Sequence, residues 1–79
     1  MRCDDHIDAM GLLCPLPVLK LGKRLREAPA GSIVALHADD PAAVIDVPHF
    51  CNESGHELLG QEPYGAGTTY FVRKMPAQG

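Results

Sequence analysis

The chain has 79 residues, of which 46% are hydrophobic and 22% are charged, and its formal net charge is −3. This length predicts one small domain over residues 1–79 that buries somewhat over ~60% of the unfolded surface, and the composition excludes a disordered protein. The acidic balance argues against a domain that binds nucleic acid by itself, since such domains are usually basic. The three cysteines are an odd number, which suits reduced thiols in a cytoplasm better than a disulfide framework.

The N-terminal half begins with a predicted strand and a predicted amphipathic helix. The strand covers residues 6–10 and ends at the turn residue Gly11, and the helix covers residues 15–28. The apolar residues of the helix follow the spacing of a buried stripe: Val18, Leu21, Gly22, Leu25 and Ala28. Lysine, arginine and glutamate side chains fall on the opposite side, and Pro29 and Gly31 end the helix.

A second strand and a second helical region follow. Residues 32–38 are apolar and include β-branched side chains, which predicts a central strand. Asp40 and Pro41 form a helix start signal, an N-cap aspartate before a proline. Because proline lacks an N–H and clashes with the preceding turn, Pro48 is expected to break the helix into two pieces. These pieces cover residues 41–47 and 48–54, with Gly55 as the terminating cap.

Two further strands complete the pattern, at residues 56–62 and 68–74, and a hairpin loop at residues 63–67 joins them. The order is therefore β-α-β-α-β-β. The first two strands, joined through a helix, are expected to be parallel through a right-handed crossover, and the last two to be antiparallel. Both helices then cover one face, which predicts an α+β fold, a two-layer sandwich with a mixed four-stranded sheet.

Cys14 is the leading candidate for a catalytic residue. It directly precedes Pro15 at a helix start, where proline suits the first helical position and the preceding residue lies at the N-cap or one step outside it. There the helix dipole and unpaired backbone N–H groups favour the thiolate. We therefore expect a thiol that is reactive at neutral pH, whereas the commonest fate of a free cysteine is a small buried hydrophobe.

The residues around Cys14 suggest supporting and docking roles. Asp8 is expected to orient the motif or, more simply, to bind backbone in the turn, and Gly11 to supply a special backbone angle. Two prolines and two leucines are expected to form a partly exposed apolar collar for a partner protein, flanked by two lysines. These residues are Pro15, Pro17, Leu16, Leu19, Lys20 and Lys23. The simpler alternatives are buried leucines and a solvated charged face.

Several segments together carry a family resemblance. The first is Asp8-x-x-Gly11-x-x-Cys14-Pro15-x-Pro17, with Lys20 following in the helix. The others are Ala38-Asp39-Asp40-Pro41-Ala42, Asp46-Val47-Pro48-x-Phe50-Cys51, Gly55-His56-Glu57-Leu58 and Phe71-Val72-Arg73-Lys74. At these positions the chain resembles the TusA-like sulfur-carrier (sulfurtransferase) family, whose fold is the same β-α-β-α-β-β sandwich.

The resemblance implies a function for Cys14. In such proteins the cysteine of the Cys-Pro-x-Pro motif carries a persulfide, received from a donor protein and passed to an acceptor. The implied donor is a cysteine desulfurase or a rhodanese-like protein, and the implied pathways are tRNA thiolation, molybdenum-cofactor biosynthesis and sulfur-compound oxidation. Such a relay needs no metal and no organic cofactor, and whether it counts as enzymatic catalysis stays open. We expect a cytoplasmic monomer that contacts no nucleic acid directly. We also expect no membrane contact, since no apolar run approaches the ~18 residues of a membrane span.

Two other interpretations stay open. In one, the chain is a non-catalytic regulatory or interaction module whose cysteine is incidental. In the other, it is a thiol oxidoreductase that pairs Cys14 with Cys51 or Cys3, although the sequence contains no Cys-x-x-Cys. The four histidines lack zinc-finger spacing, yet a metal site shared with cysteines stays open because distant ligands can converge.

Overall fold

The computed structural model describes residues 2–76 and contains the four predicted strands and the two predicted helical regions in the predicted order. The strands are β1 (Asp5–Ala9), β2 (Ile33–Ala38), β3 (Glu57–Tyr64) and β4 (Gly67–Arg73), and the helices are α1 (Leu16–Glu27) and α2 (Ala43–Ser54). Within this described part of the chain, no helix is long and apolar enough to cross a membrane.

The sheet has the strand order β1-β2-β4-β3. β1 and β2 are parallel, with Ile7 opposite Leu36, whereas β4 is antiparallel to both β2 and β3. The α+β architecture with a mixed four-stranded sheet is therefore confirmed. Because β1 and β2 are parallel neighbours, the loops that follow them lie at the same edge of the sheet.

One face of the sheet packs against both helices and forms the core. Leu21 and Leu25 of α1 are fully buried, and Val18 packs against the core from a half-buried position, so the predicted stripe is confirmed. From α2, Val47 and Cys51 join the same cluster. The buried sheet residues that face the helices are Ile7, Ala9, Val34, Leu36, Ala38, Tyr70 and Val72. These contacts fix the position of each helix start relative to the sheet.

Helix α2 is continuous, so the predicted break at Pro48 is wrong. Proline removes the hydrogen bond to the carbonyl four residues earlier, which is that of Val44, a residue exposed to water. Val47 and Cys51 lie on either side of Pro48 and are held in the core. Tertiary packing therefore outweighs the helix-breaking preference. The helix ends, as predicted, at Gly55, whose φ of 80° is left-handed.

The hairpin between β3 and β4 is tighter than the predicted loop of residues 63–67. Tyr64 pairs with Gly67, which leaves a turn of residues 65–66. Pro63 consequently lies within β3. A proline is tolerated there because β3 is an edge strand.

Candidate functional site

Cys14 lies in the loop between β1 and α1, at the sheet edge where the parallel strands end. Its side chain is exposed, and it precedes the N-cap residue of α1, which is Pro15. Pro15 was expected at the first helical position, but α1 begins one residue later. The Cys14–Pro15 peptide bond is cis. The exposed position contradicts a role for Cys14 as a buried core residue.

Two aspartates of the loop between β2 and α2 hold the Cys14 loop. Asp40 Oδ2 accepts a hydrogen bond from the backbone N–H of Cys14 (2.6 Å), and Asp40 Oδ1 accepts one from the N–H of Ala42 (3.2 Å). Asp39 Oδ1 accepts a hydrogen bond from the N–H of Gly11 (2.9 Å). Asp40 was predicted to be the N-cap of the second helix, but that cap is Ala42. The Asp40 carboxylate bridges the two loops instead.

Asp46, in the first turn of α2, lies beside the Cys14 thiol. Its carboxylate accepts a hydrogen bond from the Cys14 thiol. This hydrogen bond, followed by partial loss of water contacts and by the negative charges of Asp46 and Asp40, raises the pKa of the Cys14 thiol above its ordinary value. The thiolate has no proton to donate and is repelled by nearby carboxylates, so the protonated form is favoured. The prediction that the helix start lowers this pKa is therefore wrong.

The prolines of the motif explain why the helix start does not stabilise the thiolate. Pro15 and Pro17 have no N–H, so two of the backbone donors normally free in the first turn do not exist here. The N–H of Leu16 donates to the carbonyl of Leu13 (2.9 Å), and the N–H of Cys14 is taken by a carboxylate. These backbone donors are thus missing or already bonded.

Sequence reasoning assigned no role to Asp39 or Asp46 at the site. Both follow β2, whereas Cys14 follows β1, and these strands are parallel neighbours. Loops after such strands meet at one sheet edge. The predicted parallel pairing of these strands was therefore a signal that could have identified the two residues.

Asp8 and Gly11 shape the chain between β1 and the Cys14 loop. Asp8 Oδ1 accepts a hydrogen bond from the backbone N–H of Met10 (3.0 Å), which is the simpler of the two roles considered for it. Gly11 has a φ of 81°, in the left-handed region that other residues rarely adopt. Together they turn the chain out of the strand toward Cys14.

Exposed aliphatic side chains adjoin both Cys14 and Asp46 in the sequence. Five of them have exposed fractions between 47 and 74%, and we call them the apolar rim. The apolar rim consists of Leu13, Leu16, Leu19, Val44 and Ile45. The Cys14–Asp46 hydrogen bond joins the two segments that carry them. Pro17 does not contribute, since it is buried in α1, and the expectation that it belongs to a partly exposed collar is wrong.

The two lysines expected beside the thiol line a cleft of about 330 Å³ on the β1 side of α1. Lys20 and Lys23 share this cleft with Ile7, Arg24 and Glu27. Both lysines are exposed, while Arg24 is already paired with a β1 aspartate at 2.5 Å. Partner docking through the two lysines stays a prediction.

The remaining candidates for thiol and metal chemistry are placed differently. Cys51 lies in the core, and burial raises the pKa of its thiol to about 11, so a disulfide with the exposed Cys14 would require Cys51 to leave the core. His6 and His37 stack on one another, with ring centroids 5.5 Å apart. Among residues 2–76, no group of three or more His, Cys, Asp or Glu side chains is arranged to hold a metal ion.

One protein family matches nearly the whole chain. The family model described as sulfurtransferase TusA matches residues 5–74. The chain belongs to this family. The match includes Cys14 and both aspartate-bearing segments of the site.

Three curated relatives, each named sulfur carrier protein TusA, agree with this assignment. The protein of Pseudomonas entomophila is 45% identical over 90% of this chain and 89% of its own length. The protein of Pseudomonas savastanoi pv. phaseolicola is 38% identical over 96% of this chain and 90% of its own length. The protein of Pseudomonas syringae pv. syringae is 39% identical over 94% of this chain and 88% of its own length.

A solved structure has the same fold. The crystal structure of a SirA-like protein from Desulfitobacterium hafniense matches with a TM-score of 0.73, covering 87% of this chain and 93% of that chain. The two sequences are 24% identical, so this likeness supports the architecture alone.

Proposed function

We propose that this protein is a sulfur carrier that holds sulfane sulfur as a persulfide on Cys14 and relays it between proteins. The observation that carries the proposal is the exposed Cys14 thiol in a loop held by carboxylate–backbone hydrogen bonds. An exposed sulfur can be reached by the cysteine of another protein, and a fixed loop presents it in one geometry. The relatives named sulfur carrier protein TusA support the same role.

The proposed loading reaction is an exchange at a sulfur–sulfur bond. The Cys14 thiolate attacks the terminal sulfur of a donor persulfide, R–S–SH, while the S–S bond of the donor breaks. A new S–S bond forms on Cys14, and the donor leaves as R–S⁻, which takes up the proton released by the Cys14 thiol. In unloading, an acceptor thiolate attacks the same terminal sulfur and Cys14 leaves as its thiolate. Each step is balanced without an external oxidant or reductant.

The proposed partners follow from this exchange. The donor presents a persulfide on its own cysteine, which fits a cysteine desulfurase or a rhodanese-like protein. The family resemblance, rather than the exchange itself, implies an acceptor in tRNA thiolation, molybdenum-cofactor biosynthesis or sulfur-compound oxidation. A monomeric state, and the cytoplasmic location expected from the cysteine content, stay predictions.

Intact-mass measurement after incubation with glutathione persulfide tests the proposal. The native protein is expected to gain the mass of one sulfur atom, reversible by a thiol reductant. Cys14→Ser should lose this gain and keep its fold by circular dichroism, because the substitution is small and exposed. Cys3→Ser is the matched control and should still load. Sulfur retained by Cys14→Ser would move the function to another cysteine.

The alternative functions predict other results in intact-mass measurements. A regulatory or interaction module with an incidental cysteine would take up no sulfur. A thiol oxidoreductase would form an intramolecular disulfide under mild oxidation, detected as the loss of two hydrogens. The core position of Cys51 disfavours that outcome.

A further inference from the structure

The surface around Cys14 combines an acidic centre with an apolar surround. Asp46 contacts the thiol, and Asp40 contacts the backbone N–H of the same residue. The apolar rim lies on the two segments that carry these groups. Exposed apolar side chains grouped on one surface mark a site for protein interaction, and the carboxylates beside the sulfur add charge that can select the partner.

The acidic centre opposes the chemistry proposed for Cys14. Sulfur exchange proceeds through an anionic sulfur, yet both charged groups that act on the thiol are carboxylates. Three basic side chains are bound to groups other than Asp46 and Asp40. Arg24 binds Asp5, Arg73 binds Glu57, and the Lys74 ammonium donates to the carbonyl of Leu25. Within the described residues, the groups that shift the thiol pKa therefore supply no compensating cation.

We propose that the apolar rim and its acidic centre dock a partner whose reactive sulfur is flanked by an arginine or lysine, and that this cation pairs with Asp46 during sulfur exchange. The inference rests on the proposed function and names the chemistry of the partner surface. In this proposal the partner completes the site, because the charged groups that act on the Cys14 thiol within the described residues are carboxylates and include no cation.

Pairing at Asp46 changes the state of the thiol. A cation beside the carboxylate competes for its lone pairs and offsets its charge, which removes the main cause of the raised pKa of Cys14. The thiolate is then formed in the complex rather than in the free carrier. By linkage, a partner that favours the thiolate binds the thiolate form more tightly. Opposite charge also speeds encounter and selects against acidic surfaces.

Charged small disulfides test the inference without a partner protein. Cystamine carries positive charges beside its sulfurs, dithiodiglycolate carries negative charges, and bis(2-hydroxyethyl) disulfide is neutral. Their exchange rates with Cys14 are measured at low salt on the native protein, on Asp46→Asn and on the control Glu53→Gln. The control removes a carboxylate from the exposed last turn of the same helix.

The native protein and the control are expected to react about fivefold or more faster with cystamine than with dithiodiglycolate, because unit charges at contact distance interact by that order in water. The ratio should shrink toward one in Asp46→Asn and with added salt. A native ratio near one, or a ratio that Asp46→Asn leaves unchanged, would overturn the inference. The salt titration uses the native protein and decides the matter even if the variant fails to fold.

Persulfides of cysteamine and of 3-mercaptopropionate extend the comparison to sulfur transfer. The cationic persulfide is expected to load Cys14 faster than the anionic one. If neither loads Cys14 while the disulfide ratio holds, the sulfur-carrier function fails and the cation-accepting surface stands. If both load Cys14 at equal rates, the carrier function stands and the surface inference fails.

Discussion

Cys14 has surroundings opposite to those of most reactive cysteines, which lie beside cations or free helix N-termini. Its hydrogen bond to Asp46, with the charges of Asp46 and Asp40, raises the pKa of the thiol. The nucleophilic thiolate is therefore a small fraction of the free protein at neutral pH. Because oxidants also attack the thiolate, we expect this arrangement to slow oxidation of the exposed Cys14 sulfur.

His56 makes the stability of the fold depend on pH. Burial, and then the positive charge of Lys74, lowers the pKa of His56 below its ordinary value of 6.5, and its Nδ1 accepts a hydrogen bond from the N–H of Met75 (3.1 Å). The folded state favours the neutral imidazole, so its stabilisation is complete above pH 6.5 and is lost as the pH falls below that value. We expect the urea midpoint to fall between about pH 7 and pH 5.

His56→Asn is the matched control for this pH dependence. The asparagine Oδ1 can accept the same backbone hydrogen bond but does not titrate. The variant should lose less stability than the native protein over the same pH interval. Equal losses in both proteins would assign the pH dependence to other groups.

Helix α1 presents one leucine to the core and another to water within a single turn. Leu21 is 0% exposed, whereas Leu19 is 59% exposed. Leu21→Ala removes buried contacts and leaves a cavity, so we expect the free energy of unfolding to fall by about 2–5 kcal/mol. Leu19→Ala should change it by about 0.5 kcal/mol or less. Chemical denaturation of both variants checks the pair, and equal losses would mean that the stripe was assigned to the wrong face.

The extent of helix α2 cannot be predicted fully from its own local sequence. Its end at Gly55 follows from a local conformational preference, but its continuity through Pro48 depends on Val47 and Cys51 packing into the core. The first turn of α2 also carries Asp46 to the thiol. If α2 were broken at Pro48, the part of the helix after Pro48 would not set the orientation of the first turn, which carries Asp46.

The topology of the whole molecule assembles the site. The parallel pairing of β1 and β2 places the Cys14 loop against the Asp39–Asp40 loop. Packing of α2 on the same sheet face then brings Asp46 and the second part of the apolar rim to the sulfur. The sulfur, the carboxylates and the apolar side chains thus form one surface contributed by separate parts of the chain.

The apolar rim predicts an effect on protein-to-protein transfer that small molecules do not share. Leu19→Asp adds a charge to the exposed rim and should slow sulfur transfer from a persulfide-loaded rhodanese to Cys14 by about fivefold or more. Alkylation of Cys14 by iodoacetamide should stay nearly unchanged. Asn52→Asp, which adds the same charge at an exposed position of α2 outside the apolar rim, is the control. Unfolding of Leu19→Asp would place Leu19 in the core, and unaltered transfer would exclude it from the docking surface.

The sequence alone determined the elements, the α+β architecture and the position of Cys14 at a helix start. These features depend on preferences that act within a few residues: hydrophobic periodicity, and the special backbone angles of glycine and proline. The same periodicity separated the buried Leu21 from the exposed Leu19. Local reasoning failed at Pro48, where contacts with the core decided the outcome.

Only the tertiary structure decided the electrostatics of the site. Asp40 binds the backbone of Cys14 across 26 residues of sequence, and Asp46 reaches the thiol from a different helix. A pKa depends on the charges and hydrogen-bond partners within a few ångströms of the group, and those neighbours were set by strand pairing and helix packing. The local pattern therefore placed Cys14 before the start of α1 but predicted the wrong direction for the pKa of its thiol.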